Sequence, residues 1–429
     1  MARPKQIQTR TCSRTAALII VLAFAALPSA QAQTLTVLHN FGNQPGDGAK
    51  PTTGLTMDAA GDLYGTTESG GLGYGTVFQL KRGGSGYVFR PLYSFEGGND
   101  GASPETGVTI GPNGSLYGTT VQGGGSDNVG TVFNLQPPAT SCKSALCPWR
   151  ETVILRFNEG NGDDPYGQPI FDQAGNLYGT TLYGGQRNNG EVYELTPSNG
   201  GWTENIIYSL GTSGSGYQPV GGVIFDQDGN LYGTTRFSAG GYGVVYQLVP
   251  SGGTWEENTV YSFQGGADQG TPETGLIMDN AGNLYGTTPW FIYGNDANGT
   301  VYELSPSGGG WTYTLLYSFP SGYEGAGAVS ALAMDKAGSL YGETSLEGIV
   351  SGTCPYGCGT VFKLTPSSSG WIYTDLYDFT GGSDGAEPYG GVVLDNQGNL
   401  YGTTWIGGTG TSCDDGSLVG CGVVWKLTP

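Results

Sequence analysis

The pentapeptide Leu-Tyr-Gly-Thr-Thr recurs along this chain with its Tyr at positions 64, 117, 178, 232, 285 and 401, and once in altered form as Leu340-Tyr341-Gly342-Glu343-Thr344. The seven copies stand 53, 61, 54, 53, 56 and 60 residues apart. A period of that length means one supersecondary unit is repeated, each unit burying its apolar surface on its neighbours. In the fifth unit, Gly275 to Asp279 reads as a short apolar strand a, Asn283 to Thr288 as strand b, Gly299 to Leu304 as strand c and Trp311 to Phe319 as strand d. Val, Thr, Tyr, Phe and Trp dominate these stretches, as strands require. Asp-x-x-Gly between a and b, as at Asp226 to Gly229, predicts a tight hairpin with its Gly in the left-handed region. Pro/Ser/Gly-rich turns such as Thr196 to Gly201 link c to d, which gives an up-and-down sheet of four strands.

Four-stranded antiparallel units repeated this often close radially, so the expected fold is all-β, a seven-bladed β-propeller. The chain ends argue for closure. The seventh unit has a (391–395), b (399–404) and c (422–427) but no d, whereas residues 34–41, ahead of the first a strand, align with d. Three C-terminal strands and one N-terminal strand complete the last blade and leave no open edge. An open solenoid needs distinct capping repeats, and these ends complement one another instead. The expected layout is a signal peptide over 1–32 and a single propeller domain over 33–429.

Leu-Tyr-Gly-Thr-Thr, a Gly-rich loop and Gly-Thr-Val-Phe, as in Leu63 to Thr67 and Gly75 to Phe78, resemble the GloVer tandem-repeat proteins over essentially the whole mature chain. The resemblance implies an exported bacterial repeat protein, with no biochemical activity established for the repeat itself. Such proteins often carry a C-terminal surface anchor, and none is visible here.

Export is read from the residues as well. Arg3, Lys5, Arg10 and Arg14 precede an apolar run from Ala16 to Leu27, and Ala30-Gln31-Ala32 forms a small-residue cleavage site. The run is too short to span a bilayer, and no later segment resembles a membrane span. A secreted or periplasmic monomer is expected. The formal charge is −20, and loss of the four basic residues of the leader takes it to −24. A field of that sign repels phosphate backbones and anionic lipid, so nucleic acid is excluded as a partner.

His39 is the only histidine, which removes most Ser-His-Asp and multi-histidine metal arrangements. It aligns with Tyr93, Tyr208, Tyr261, Tyr317 and Tyr377 of the other d strands, so a packed role is expected. Cys142/Cys147, Cys354/Cys358 and Cys413/Cys421 each fall within one loop and read as local disulfides in an exported chain. The d-to-a connections carry Asp47, Asp100, Asp163, Asp164, Asp268, Glu324 and Asp384. Turn chemistry accounts for them, with a Ca²⁺-holding ring at the channel mouth as the alternative, and no cofactor or metal site is assigned.

No pair stands out among the 36 acids as catalytic, so an enzyme is the lesser reading. The leading reading is a non-catalytic propeller that binds an extracellular glycan or protein surface. A secreted, glycosidase-like hydrolase using carboxylates is the alternative, and a structural envelope protein a third. The b–c and d–a loops should share one face, where Tyr183, Phe237, Trp290, Phe291, Tyr293 and Trp405 are the aromatic candidates. Trp290, Phe291, Tyr293 and Trp405 are expected to border a groove, with Asp268 and Asp384 as acceptors for ligand hydroxyls.

Overall fold

The computed structural model describes residues 33–428 except 45, 85, 140–147, 159, 212–214, 290–298, 321–324, 329, 412 and 414–419. Every copy of the pentapeptide forms a buried strand b, paired antiparallel with a on one side and c on the other. The first blade consists of Thr56–Met57, Leu63–Thr67, Thr76–Gly83 and Gly86–Ser94. The seventh consists of Val393–Leu394, Leu400–Thr404, Val423–Thr428 and, from the other end of the domain, Thr34–Asn40. That N-terminal strand runs antiparallel to Val423–Thr428, from Thr34 opposite Thr428 to Asn40 opposite Val423. The domain is a seven-bladed β-propeller closed by its own N-terminal strand.

Each residue of the pentapeptide has a structural reason to recur. Its Leu is wholly buried. In six blades the Tyr hydroxyl donates to the Asp that opens the a–b turn, at 3.3 Å for Tyr64 to Asp58 and 3.0 Å for Tyr401 to Asp395, whereas the second blade has Gly111 at that turn position. That Asp also accepts turn N–H groups, as Asp58 does from Ala60 and Asp62. The Gly sits opposite an aromatic of strand c. Gly65 faces Phe78, whose ring lies so close that a Cβ on Gly65 would stand 2.6 Å from it. The same crossing places Phe133, Tyr193, Tyr246, Tyr302, Phe362 and Trp425 over the other six glycines, and all seven rings are fully buried.

The two Thr residues divide the hydrogen bonding between them. The first reaches across to the next blade: Thr66 donates to Thr106 O at 2.8 Å, Thr119 to Pro165 O at 2.8 Å, Thr180 to Gly221 O at 3.1 Å, Thr234 to Thr274 O at 3.0 Å and Thr287 to Ser330 O at 3.3 Å. Thr403 donates to Thr53 O at 2.9 Å and so ties the seventh blade to the first. The sixth blade has Glu343 at this position, and its Oε2 accepts from Gly391 N of the seventh blade at 2.7 Å. The departure from the repeat keeps the clip and reverses the direction of donation. The second Thr stays within its blade, as in the 2.8 Å bond between Thr67 and Thr76.

The apolar core is divided among the seams between blades. Tyr64 and Val77 of the first blade pack with Val108, Leu116, Phe133 and Leu135 of the second. Trp255, Trp311 and Trp371 on d strands pack edge-on against Tyr178, Tyr232 and Tyr285 of the preceding blades. Strand a is shorter than the expected five residues, since only two pair with b, as Ile277 and Met278 do with Tyr285 and Leu284. Upstream of that pair the backbone serves the neighbouring blade, where its carbonyls receive the threonine clips.

The d–a and b–c loops of one blade pair with each other and therefore lie at one end. Gly48–Ala49 pairs with Ser69–Gly70, and single bridges join Ala102 to Gln122, Asp163 to Tyr183, Tyr217 to Phe237 and Ala386 to Ile406. Among the described residues no helix is long and apolar enough to cross a membrane.

Candidate functional site

The segment entering strand a begins with Pro in six blades: Pro51, Pro104, Pro165, Pro219, Pro272 and Pro388. The residue before each Pro, in order Lys50, Ser103, Asp164, Gln218, Thr271 and Glu387, has φ between 52° and 60°. Left-handed backbone at a non-glycine residue costs about 1–3 kcal/mol, so the surroundings must hold it. In five of the six they do so with two hydrogen bonds, and at Thr271 with one among the described residues, from its N–H to Tyr242 O at 2.7 Å. Ser103 donates its N–H to Tyr74 O of the preceding blade at 2.9 Å, and its carbonyl accepts from Val121 N at 3.1 Å. Lys50 is clamped likewise between Cys421 O and Glu68 N, and Glu387 between Cys358 O and Trp405 N.

This clamp turns the residue after each Pro toward the propeller axis. Thr52, Glu105, Tyr166, Val220, Glu273 and Tyr389 line one cavity of about 710 Å³, to which all seven blades contribute. Glu68 and Trp405, the residues directly after the pentapeptide in the first and seventh blades, join them. Trp405 Nε1 donates to Glu68 Oε2 at 3.4 Å, Tyr389 meets the indole edge-on, and the Lys50 ammonium lies 5.5 Å from the indole centroid. On the opposite side Arg236 Nε stands 2.6 Å from Glu273 Oε1.

Acid groups outnumber bases here. Burial pushes the Glu105 carboxyl up to about 7, with repulsion from Glu68 and Asp164 adding to it and a Tyr166 hydrogen bond opposing it. Asp164 is pushed up to about 6 by burial and by Asp163. Burial also raises Glu273, against the pull of Arg236. A carboxyl close to neutrality beside a second carboxylate can hold or release a proton at physiological pH.

The candidates named from sequence are dispersed. Trp405 is half-buried at the cavity. Trp290, Phe291 and Tyr293 lie outside the described residues, as do Cys142 and Cys147. Asp268 is buried under the outer strand, where Oδ2 accepts from Tyr261 Oη at 2.9 Å and Gln264 N at 2.9 Å. Asp384 accepts from Tyr377 Oη at 3.0 Å and from Thr380 N at 2.9 Å. Asp100 serves Tyr93 and Glu96 N in the same way. His39 follows this pattern: Nε2 lies 3.0 Å from Asp47 Oδ1 and its ring stacks on Phe89 at 3.7 Å. Phe237 rests on Tyr217. Cys354–Cys358 and Cys413–Cys421 are disulfides, and the carbonyls of Cys358 and Cys421 accept the clamp bonds of Glu387 and Lys50. Among the described residues no group of three or more potential ligands is placed to hold a metal ion.

Glu68, Glu105, Tyr166, Glu273 and Tyr389 were not candidates on sequence grounds. For four of them the signal is contrast within the repeat, since after the Pro shared by six blades the next residue runs Thr, Glu, Tyr, Val, Glu, Tyr; Glu68 stands at the position after the pentapeptide, which varies likewise.

No curated protein matches the chain. A solved structure shares its fold. A Bacteroides uniformis protein assigned as a 6-phosphogluconolactonase is 14% identical with a TM-score of 0.50, the match covering 82% of this chain and 97% of that one. A Thermus thermophilus protein assigned as a glucose dehydrogenase-type oxidoreductase is 16% identical, with a TM-score of 0.42 and coverage of 92% and 100%. A puromycin-hydrolyzing peptidase of Mycobacterium tuberculosis is 11% identical, with a TM-score of 0.44 and coverage of 86% and 62%. The repeat itself is matched over residues 26–149, 149–354 and 238–429, and the chain belongs to the Gloeobacter/Verrucomicrobia repeat family.

Proposed function

We propose that this protein is an exported, non-catalytic binding propeller whose ligand, a hydroxylated glycan, enters the central cavity from the loop end. One observation carries the reading: in a framework repeated seven times, the residue that varies in chemistry from blade to blade is the one facing a shared cavity. Trp405, Tyr166 and Tyr389 offer rings to the apolar faces of a sugar, and Glu68, Glu105 and Gln168 offer partners to its hydroxyls. Export is supported by the leader-like pattern of 1–32 and by the two disulfides. The test is a glycan array probed with the mature chain, followed by titration of the best hit. Trp405→Ala should weaken that binding by about 1–3 kcal/mol while leaving Tm unchanged. A blank array overturns the proposal.

A second reading, carboxylate-dependent glycoside hydrolysis, is favoured by Glu105 near 7 beside Glu68. Release of reducing sugar that Glu105→Gln abolishes would put hydrolysis in place of binding.

A further inference from the structure

The cavity is rich in acceptors and poor in uncommitted cations. Glu68, Glu105 and Asp164 come from three successive blades, and the first and last both repel Glu105. Arg236 is engaged by Glu273 at 2.6 Å, so its charge is offset on the far side. Thr52 lines the cavity as well, and its hydroxyl has no hydrogen-bond partner among the described residues. The Lys50 ammonium stands over the ring face of Trp405, so a cation on an aromatic face is already part of this wall, and the indole N–H separately holds Glu68.

An ammonium has three donors and no acceptor, which is the complement of such a wall. A carboxylated, sulfated or phosphorylated ligand would place acceptors and negative charge against acceptors and negative charge. We propose that the cavity selects an oligosaccharide bearing a free amine, a hexosamine unit whose nitrogen is not acetylated. This rests on the glycan-binding reading above. A sugar fits better than a lysine side chain or a polyamine, because Tyr166, Tyr389 and Trp405 surround a volume of about 710 Å³ that a single alkyl chain leaves unfilled.

The test is calorimetric titration of the mature protein, at low and high salt, with glucosamine oligomers of one length, fully acetylated or fully deacetylated, and with spermine. The deacetylated oligomer should bind at least about tenfold more tightly than the acetylated one at low salt, with the gap narrowing at high salt. Glu105→Gln and Glu68→Gln, each checked for an unchanged Tm, should narrow the gap and leave acetylated binding in place. Equal binding of the two oligomers, or preference for the acetylated one, overturns the amine inference and leaves the glycan reading standing. Spermine binding as well as the deacetylated oligomer does means charge alone is read, and overturns the sugar class. No binding by any of the three overturns the amine inference, and the glycan reading then stands or falls with the array.

Discussion

Glu105 and Thr106 adjoin one another in the chain and serve two regions under opposite constraints. Thr106 belongs to a seam: its carbonyl accepts from Thr66 and its hydroxyl bonds Thr119 at 2.8 Å. Glu105 belongs to the cavity and touches none of the seam clips. Across the blades the seam position is Thr53, Thr106, Thr274 or a small residue, because its backbone must approach the neighbouring blade closely. The cavity position has no such requirement and varies freely. A propeller of near-identical blades thus keeps its framework fixed and individualises the side chains around its cavity.

If the framework carries the stability, the blade completed by the two chain ends should be its most sensitive part. Deleting 34–40 removes the outer strand of the seventh blade and exposes the edge of Val423–Thr428. The truncated protein should aggregate or lose its cooperative melt, and appending the same segment after Pro429 should restore it. A truncated protein that melts like the intact one would mean that closure contributes nothing.

Glu343 makes the 6/7 seam different from the other six. Its carboxyl is fully buried and pushed up to about 8 by loss of solvent, with only the Gly391 N–H favouring the ionised form. The folded state therefore prefers the proton, whereas the unfolded chain releases it near pH 4.5. Stability from this group is complete below about pH 4.5 and is lost as pH rises toward 8, a change of a few kcal/mol. Glu105, Glu151 and Glu347 tilt stability in the same direction, so the informative quantity is a difference. Glu343→Gln, which keeps an acceptor for Gly391 N–H, should melt at a visibly flatter Tm across pH 5 to 8 than the parent protein. Parallel curves would show that Glu343 is not what makes this seam pH-sensitive.

A single ordinary clip should matter less. Thr119→Val keeps shape and removes the hydroxyl that donates to Pro165 O, leaving a buried carbonyl without that donor. The expected loss is about 1–3 kcal/mol, read from urea unfolding.

Much of this framework was legible in the sequence. Seven b strands, the Asp-x-x-Gly turns and the displaced d strand follow from repetition, and His39 was placed by its alignment with Tyr93 and its counterparts. The glycine of the pentapeptide was legible as recurrent but not as the floor under an aromatic ring, since that contact depends on the register of b against c. The short a strand escaped because its carbonyls answer to another blade, some 40 residues distant in the chain. The cavity wall escaped for a related reason. Glu105, Tyr166, Glu273 and Tyr389 are far apart in sequence, and only closure of the ring brings their segments to one axis. Aromatic loops drew attention by residue type, whereas the stronger sign was variation at one position of an otherwise uniform segment.

The smallest expected loss of stability is the sharpest check on the comparison. Glu105→Gln changes the cavity and leaves every seam contact in place. The wild-type carboxyl is raised to about 7 by burial and by two acidic neighbours, so above that pH the folded protein carries a charge it disfavours. Glutamine is the neutral isostere and removes that penalty. At pH 8 the variant should therefore melt above the parent, by up to about 3 kcal/mol, while Thr119→Val under the same conditions melts below both. Below pH 5, where the wild-type group is protonated in the folded state, the two should coincide. A Glu105→Gln protein destabilised as much as Thr119→Val would mean that the cavity wall is part of the framework, and the division between a fixed seam and a free wall would have to be given up.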